Sequence, residues 1–166
     1  MRKFRFGLLA TALVVLVTGC GAPVAQSTQP KTPTPSVAGT SQSDFKLTSI
    51  TGKPVVIHPN QKTLLYFMAL GCSSCVTGEM NLAKNLPHIH ADVISVDVQP
   101  QDTPSELETF MKQTGATWPH VIDKNESLIQ KYQISYLDTV VILFHNKVIY
   151  KGIAPSATTI EKELSS

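Results

Sequence analysis

The chain has 166 residues, 42% hydrophobic and 16% charged, so it can bury a core and is not globally disordered. A formal net charge of +2, with no basic run and no aromatic–basic interleaving, gives no footprint of nucleic-acid binding. All 12 acidic residues lie from Asp44 onward, and without Arg2, Lys3 and Arg5 the 14 basic residues fall to 11, so the rest of the chain is nearly neutral.

Residues 1–19 read as a secretory signal. Met1-Arg2-Lys3-Phe4-Arg5 is a charged leader, and Phe6 to Val17 is an apolar run too short to span a bilayer. It ends in Val17-Thr18-Gly19-Cys20, which resembles the lipobox of bacterial lipoproteins. That resemblance implies acylation of Cys20 and an anchor of two or more acyl chains, enough for stable attachment. Residues 20–43 read as a tether, with Pro23, Pro30, Pro33 and Pro35 among Ser, Thr, Gln, Ala and Gly. Such a segment cannot bury enough apolar area to offset its ordering entropy.

The periodic signal lies in residues 44–166. Phe45, Leu47 and Ser49-Ile50 predict a first strand closed by Thr51-Gly52, and Pro54 to Ile57 a second. The continuous apolar run Thr63 to Leu70 predicts a strand buried on both faces. Ser73 to Leu86 predicts a helix ended by Pro87, and Asp92 to Val98 another buried strand. Thr103-Pro104-Ser105-Glu106 carries the marks of a capping box with Pro at the first helical position. That helix runs through Leu107, Phe110 and Met111 and stops at Gly115. Trp118 to Ile122 follows as a short extended piece and Asn125 to Tyr132 as a short helix. Strands at Thr139 to Phe144 and Val148 to Tyr150 flank His145-Asn146-Lys147, and Ser156 to Leu164 closes the chain as a helix. Alternating strands and helices predict an α/β fold with helices on both faces of a mixed sheet.

Three cysteines are present, and with Cys20 assigned to lipid the other two form Cys72-Ser73-Ser74-Cys75. The pair falls where a buried strand gives way to a helix. Free N–H groups and the positive end of the helix dipole favour a thiolate there. Cys72 is then the nucleophile of disulfide exchange, and Cys75, one turn further in, resolves the mixed disulfide. A structural disulfide and a metal-linked pair are the competing readings. So short a loop constrains the unfolded chain little, and no second Cys pair completes a metal site.

With these stretches in place, residues 44–166 resemble the thioredoxin superfamily, and within it the membrane-anchored TlpA/ResA-like thiol–disulfide oxidoreductases. The likeness rests on Thr63-Leu64-Leu65-Tyr66-Phe67-Met68-Ala69 before the Cys pair and on Trp118-Pro119-His120-Val121-Ile122-Asp123, similar to a W-P-x-x-x-D segment. Tyr132-Gln133-Ile134 leads into the last hairpin, and Gly152 is read as following it. The resemblance implies a thioredoxin-like fold and a redox-active Cys72–Cys75 disulfide, with no soluble cofactor and no metal. It also implies an extracytoplasmic, lipid-anchored location, exported proteins with disulfides as substrates, a membrane electron donor, and a task such as apocytochrome c reduction.

Four positions depart from the family pattern. Gly71 stands where relatives carry Trp, and Tyr66 where thioredoxins carry a buried acid. Gly78 stands where relatives of the subfamily often carry Glu, with Glu79 one residue later on the face of Cys75. Glu79 is therefore a candidate proton acceptor for Cys75, against a reading as a solvated helix charge. Asp138, in Leu137-Asp138-Thr139, replaces the usual cis-proline, so a trans bond is expected. Its carboxylate would raise the thiol pKa, accept a proton or repel anionic substrates, against a reading as a surface turn. Leu137 and Asp138 are thus candidate modulators.

Three other readings compete for the whole domain. A copper-handling thioredoxin-fold protein would use the Cys pair and a distant His, with His120 placed in a loop that could approach it and His88 and His90 in a polar loop. A peroxiredoxin would want Pro and Thr where Leu65 and Ala69 stand. A non-catalytic binding module would keep only a structural disulfide.

Overall fold

The computed structural model describes residues 47–166; the leader, Cys20 and the tether lie outside them. A small antiparallel hairpin, β1 (Leu47–Thr48) and β2 (Pro54–Val55), precedes a five-stranded sheet. That sheet comprises β3 (Thr63–Met68), β4 (Asp92–Asp97), β5 (His120–Ile122), β6 (Thr139–Phe144) and β7 (Lys147–Ile153), in the order β5-β4-β3-β6-β7. β3 pairs parallel with β4 and antiparallel with β6, so the sheet is mixed, as expected. Helices α1 (Ser73–Asn85), α2 (Pro104–Thr114), α3 (Ser127–Lys131) and α4 (Ala157–Ser165) complete the fold.

β3 is the centre because it can be: all six of its residues are buried, and neither face offers a side chain to water. Alternation along it feeds two cores. Leu64, Tyr66 and Met68 face Cys75 and Leu82 of α1, Leu107 and Phe110 of α2, and Ile160 and Leu164 of α4. Leu65 and Phe67 face the other side, with Val121, Leu128 of α3 and Tyr132. The β3-α1-β4 and β4-α2-β5 connections join parallel strands and step the same way along the sheet, so right-handed crossovers place α1 and α2 on one face.

Local chemistry sets the ends. Thr103 Oγ1 accepts from the Glu106 backbone N–H, and the Glu106 carboxylate accepts from the Thr103 N–H at 2.9 Å, closing the box at the start of α2. The Thr103 hydroxyl also donates to the Glu106 carboxylate at 2.6 Å, and that bond first, with the Thr103 N–H next, holds the carboxyl below its ordinary range. His145 and Asn146 both have positive φ, as a tight two-residue hairpin turn demands.

Several boundaries differ from the sequence reading. The first strand ends at Thr48 because the chain turns at Ser49, whose N–H donates to Lys53 O at 2.8 Å; Phe45 lies outside the described residues. β3 stops at Met68, where Ala69 O begins to accept from Cys72 N–H in the turn. The chain passes Pro87 as a 3₁₀ turn over Leu86–His88, and Ile89 between the two histidines is buried. β7 extends to Ile153, so Gly152 lies within the strand instead of after it.

Thr103→Ala should lower unfolding stability by about 1 kcal/mol through loss of the cap. Urea denaturation reads this, and the rate of alkylation of the reduced cysteines should not change.

Candidate functional site

β3 ends, the chain turns through Gly71, and α1 begins with the cysteines. Cys72 and Cys75 are disulfide-bonded, with Cα atoms 5.2 Å apart. Cys72 is the N-cap of α1, and its Sγ accepts from the Cys75 backbone N–H at 3.2 Å. Its sulfur therefore already sits where unpaired N–H groups and the helix dipole favour negative charge. Cys72 is half-buried and Cys75 has no exposed surface, an asymmetry that suits an attacking and a resolving thiol. Gly71 has φ 78°, a region that resists side chains, and a Cβ there would meet nothing within 4 Å. The position where relatives carry Trp is thus bare, and no side chain shields Cys72 from that direction.

The other three departures prove to be one physical unit. The Tyr66 hydroxyl donates to Asp138 Oδ1 at 2.8 Å and lies 3.2 Å from the Cys75 carbonyl. A Cβ on residue 78 would overlap that hydroxyl and lie 2.7 Å from Asp138 Oδ1, so only glycine fits. Asp138 is buried, which corrects the surface-turn reading. Its φ of 57° is one that Asp tolerates better than most residues, and no cis peptide bond occurs among the described residues. Burial, and next the bond to Asp138, hold the Tyr66 hydroxyl well above its ordinary pKa. Leu137 beside Asp138 is exposed, next to exposed Tyr136.

Glu79 is not a solvated helix charge: it has 0% exposure. Ser95 Oγ donates to its Oε1 at 2.8 Å, and Trp118 Nε1 donates to Ser95 Oγ at 2.8 Å. His120 Nε2 lies 2.8 Å from the same Oε1, a close ion pair but not an aligned hydrogen bond. His120 Nδ1 lies 3.1 Å from Trp118 O. His120 is therefore not a loop residue near the cysteines but a buried β5 residue with a neighbour at each ring nitrogen, and it is not free to ligate copper in this arrangement. His88 and His90 are exposed. Among the described residues no group of three or more His, Cys, Asp and Glu is placed to hold a metal.

Asp97 carries a third buried carboxylate at the C-terminal end of β4, in register with Met68 and Ile122. Its Oδ1 accepts from Gln99 N–H at 3.1 Å, while its Oδ2 and that of Asp102 are buried without a hydrogen-bond partner. Burial, reinforced by Asp102 and opposed by the Gln99 bond and Lys124, pushes the Asp97 carboxyl up to about 7.

The structure thus gathers Cys72, Cys75, Glu79 and Asp138 around the first turns of α1, with Leu137 exposed next to Asp138 in the chain; Cys20 lies outside the described residues. Sequence reasoning missed Ser95, Tyr66 as a donor and the His120–Glu79 pair. The available signal was the interruption of apolar strands by a polar residue at one level: Tyr66 pairs with Ser95, and Ser95 with His120. The W-P-x-x-x-D segment also acquires a physical meaning. Trp118 anchors Ser95, and Asp123 accepts from the Leu128 and Ile129 N–H groups, both at 2.9 Å, to start α3.

Gly78→Ala should cost about 1–3 kcal/mol, the usual price of overpacking, because the methyl displaces the Tyr66–Asp138 bond; chemical denaturation reads this. Asp97 gives a pH signature. A carboxyl group whose pKa is raised on folding holds its proton more tightly in the folded state. Its contribution to stability should therefore be full below the ordinary value near 3.8 and be lost as pH rises toward about 7. Urea midpoints measured across that range should slope downward in the native chain and flatten in Asp97→Asn.

Comparison with known proteins adds the following. The AhpC/TSA family model matches residues 30–162. StoA of Bacillus subtilis superposes with a TM-score of 0.63 and 21% identity, covering 72% of this chain and 94% of that one. A thioredoxin-like protein of Aeropyrum pernix gives 0.61 and 26%, over 74% and 88%. A secreted Mycobacterium tuberculosis disulfide oxidoreductase homologous to E. coli DsbE gives 0.63 and 12%, over 74% and 95%. These superpositions show a thioredoxin-like fold. The Streptomyces lividans protein named mercury resistance operon ORF3 is 29% identical over 112 residues, 63% of this chain, which spans 59% of that protein's length.

Proposed function

The chain belongs to the AhpC/TSA family, and on that premise we propose that it is a thiol–disulfide oxidoreductase acting through Cys72 and Cys75. The observation that carries this reading is the disulfide at the start of α1, with one sulfur half-exposed at the N-cap and the other buried. In the reduced protein Cys72 thiolate attacks a substrate disulfide. A bond forms between Cys72 and one substrate sulfur, and the other leaves as a thiolate that takes a proton from water. Cys75 then loses its proton and attacks Cys72 Sγ. The Cys72–Cys75 bond closes, the second substrate thiol departs, and two electrons have passed from the pair to the substrate. Glu79, one turn from Cys75 on the same buried face, is the acceptor for that proton. Asp138, linked through the Tyr66 hydroxyl to the Cys75 carbonyl, and its neighbour Leu137 modulate reactivity and docking.

The finer reading places this chemistry outside the cytoplasm on a lipid anchor at Cys20, acting on exported proteins and drawing electrons from a membrane dithiol donor. Reduction of apocytochrome c is the task it fits. The leader, the lipobox-like run and the Pro-rich tether support the location, and the bare surface at Gly71 supports a protein-sized substrate.

Cys75→Ser should accumulate a mixed disulfide through Cys72 when the reduced protein meets an oxidised protein substrate, seen by non-reducing electrophoresis and mass spectrometry. Cys72→Ser should form none. Full exchange activity in Cys72→Ser would overturn the mechanism.

A further inference from the structure

The Tyr66 bond leaves one oxygen of the Asp138 carboxylate unused. Asp138 is 7% exposed, and its Oδ1 accepts from the Tyr66 hydroxyl at 2.8 Å. Its Oδ2 makes no hydrogen bond or ion pair among the described residues. Unlike Glu79 Oε2 and Asp97 Oδ2, which are buried with no partner, that oxygen is not sealed from solvent. Neighbouring backbone donors are spent elsewhere. The Ala154 N–H goes to the Asp138 main-chain carbonyl at 2.7 Å, and the Thr159 N–H at the start of α4 goes to Ser156 Oγ at 3.1 Å.

Asp138 lines a cavity between α1, β6 and the start of α4. The cavity follows α1 from Gly78 to Asn85, about 10 Å at 1.5 Å per residue. Gly78, Tyr66 and Asp138 meet at one end of it. Buried Leu82, Ile89, Val140 and Ile160 line it. Its enclosed volume is about 30 Å³, room for one or two waters or for one ammonium group. No Lys, Arg or His lines it among the described residues. Asn85, which does, donates through Nδ2 to Asn81 O at 2.8 Å and keeps Oδ1 as an acceptor.

A carboxylate taken out of water needs donors or a counter-charge, and Asp138 has one donor and no cation. The site therefore combines unsatisfied acceptors with apolar walls, and its complement is a cation on an aliphatic stem. The kind of cation follows from the geometry. A guanidinium binds best as a fork to both oxygens of a carboxylate, and Tyr66 already holds one of them. An ammonium is a compact point charge that needs one oxygen and little room.

We propose that this cavity is a binding site for a primary alkylammonium group, with Asp138 Oδ2 as its counter-charge and Leu82, Ile89, Val140 and Ile160 around its stem. A free alkylamine and the lysine side chain of a docked protein both carry this chemistry. The site uses neither sulfur, so it goes beyond the redox reading and does not depend on it.

Amide NMR titration of the oxidised full chain with n-butylammonium chloride tests this, at an ionic strength held constant with NaCl. The ligand should shift the Gly78, Asp138 and Val140 amides. It should bind about tenfold or more tighter than n-butanol, its uncharged counterpart. Asp138→Asn should abolish that preference. Ala157→Leu, which narrows the cavity without touching the carboxylate, should weaken both ligands and keeps the test decisive if the Asp138 variant does not fold. Equal binding of the two ligands to the native chain, or a preference that survives Asp138→Asn, would overturn the site. A blocked tripeptide with a central lysine then separates the sources. Shifts at the same amides support a lysine of a docked protein, and shifts with n-butylammonium alone support a free amine. Failure of the redox reading would appear separately, as absent exchange with protein substrates.

Discussion

Helix α1 does not rest on hydrocarbon alone. A carboxylate with no exposed surface, Glu79, hangs from its underside, and a buried charge is tolerated only where neighbours supply donors or a counter-charge. The sheet has to meet that demand at one place, and it does so with Ser95 and His120 side by side. Ser95 in turn needs Trp118 as its own donor, and His120 needs the Trp118 carbonyl. One acidic side chain thereby dictates the identity of residues on two strands and the connection between them.

The same reasoning explains the other half of the layer. Asp138 enters from the loop before β6 and is buried against Tyr66, whose hydroxyl reaches it across α1 only because residue 78 has no side chain. Around this polar band the packing is apolar: Leu64 and Leu82 on one side, Leu107 and Phe110 on another. Buried polar networks contribute little net stability, but each member left alone is costly, so they specify one arrangement of helix on sheet. That arrangement sets the surroundings of Cys75.

The active end then combines a polar floor with an open roof. The floor is built from titratable side chains buried against one another, and the roof is bare because Gly71 takes a left-handed conformation with nothing above it. The half-buried Cys72 sulfur faces whatever approaches. The exposed pair Tyr136 and Leu137 lies in the segment leading to Asp138.

Much of this was legible in the chain. The run Thr63 to Met68 could only be a central strand, because it offers no polar face; the capping box at Thr103 and the Cys pair at a strand-to-helix junction are local signals that need no partner to be read. The short-range errors were also local: Ser49 turned a strand early, and a 3₁₀ turn carried the chain past Pro87. What no local pattern contained was which polar residues would meet. Tyr66, Gly78 and Asp138 looked like separate departures because they lie far apart in sequence, Glu79 could be read as a proton acceptor or as a solvated charge, and His120 looked like a loop histidine. Strand register puts Tyr66, Ser95 and His120 in one row, and the docking of α1 decides that Glu79 falls on it. Periodicity and junction chemistry act between neighbours, so the sequence by itself determined the elements and the redox pair. Burial of polar groups is settled only when distant elements pack, so the tertiary structure alone decided which of them meet beneath that pair.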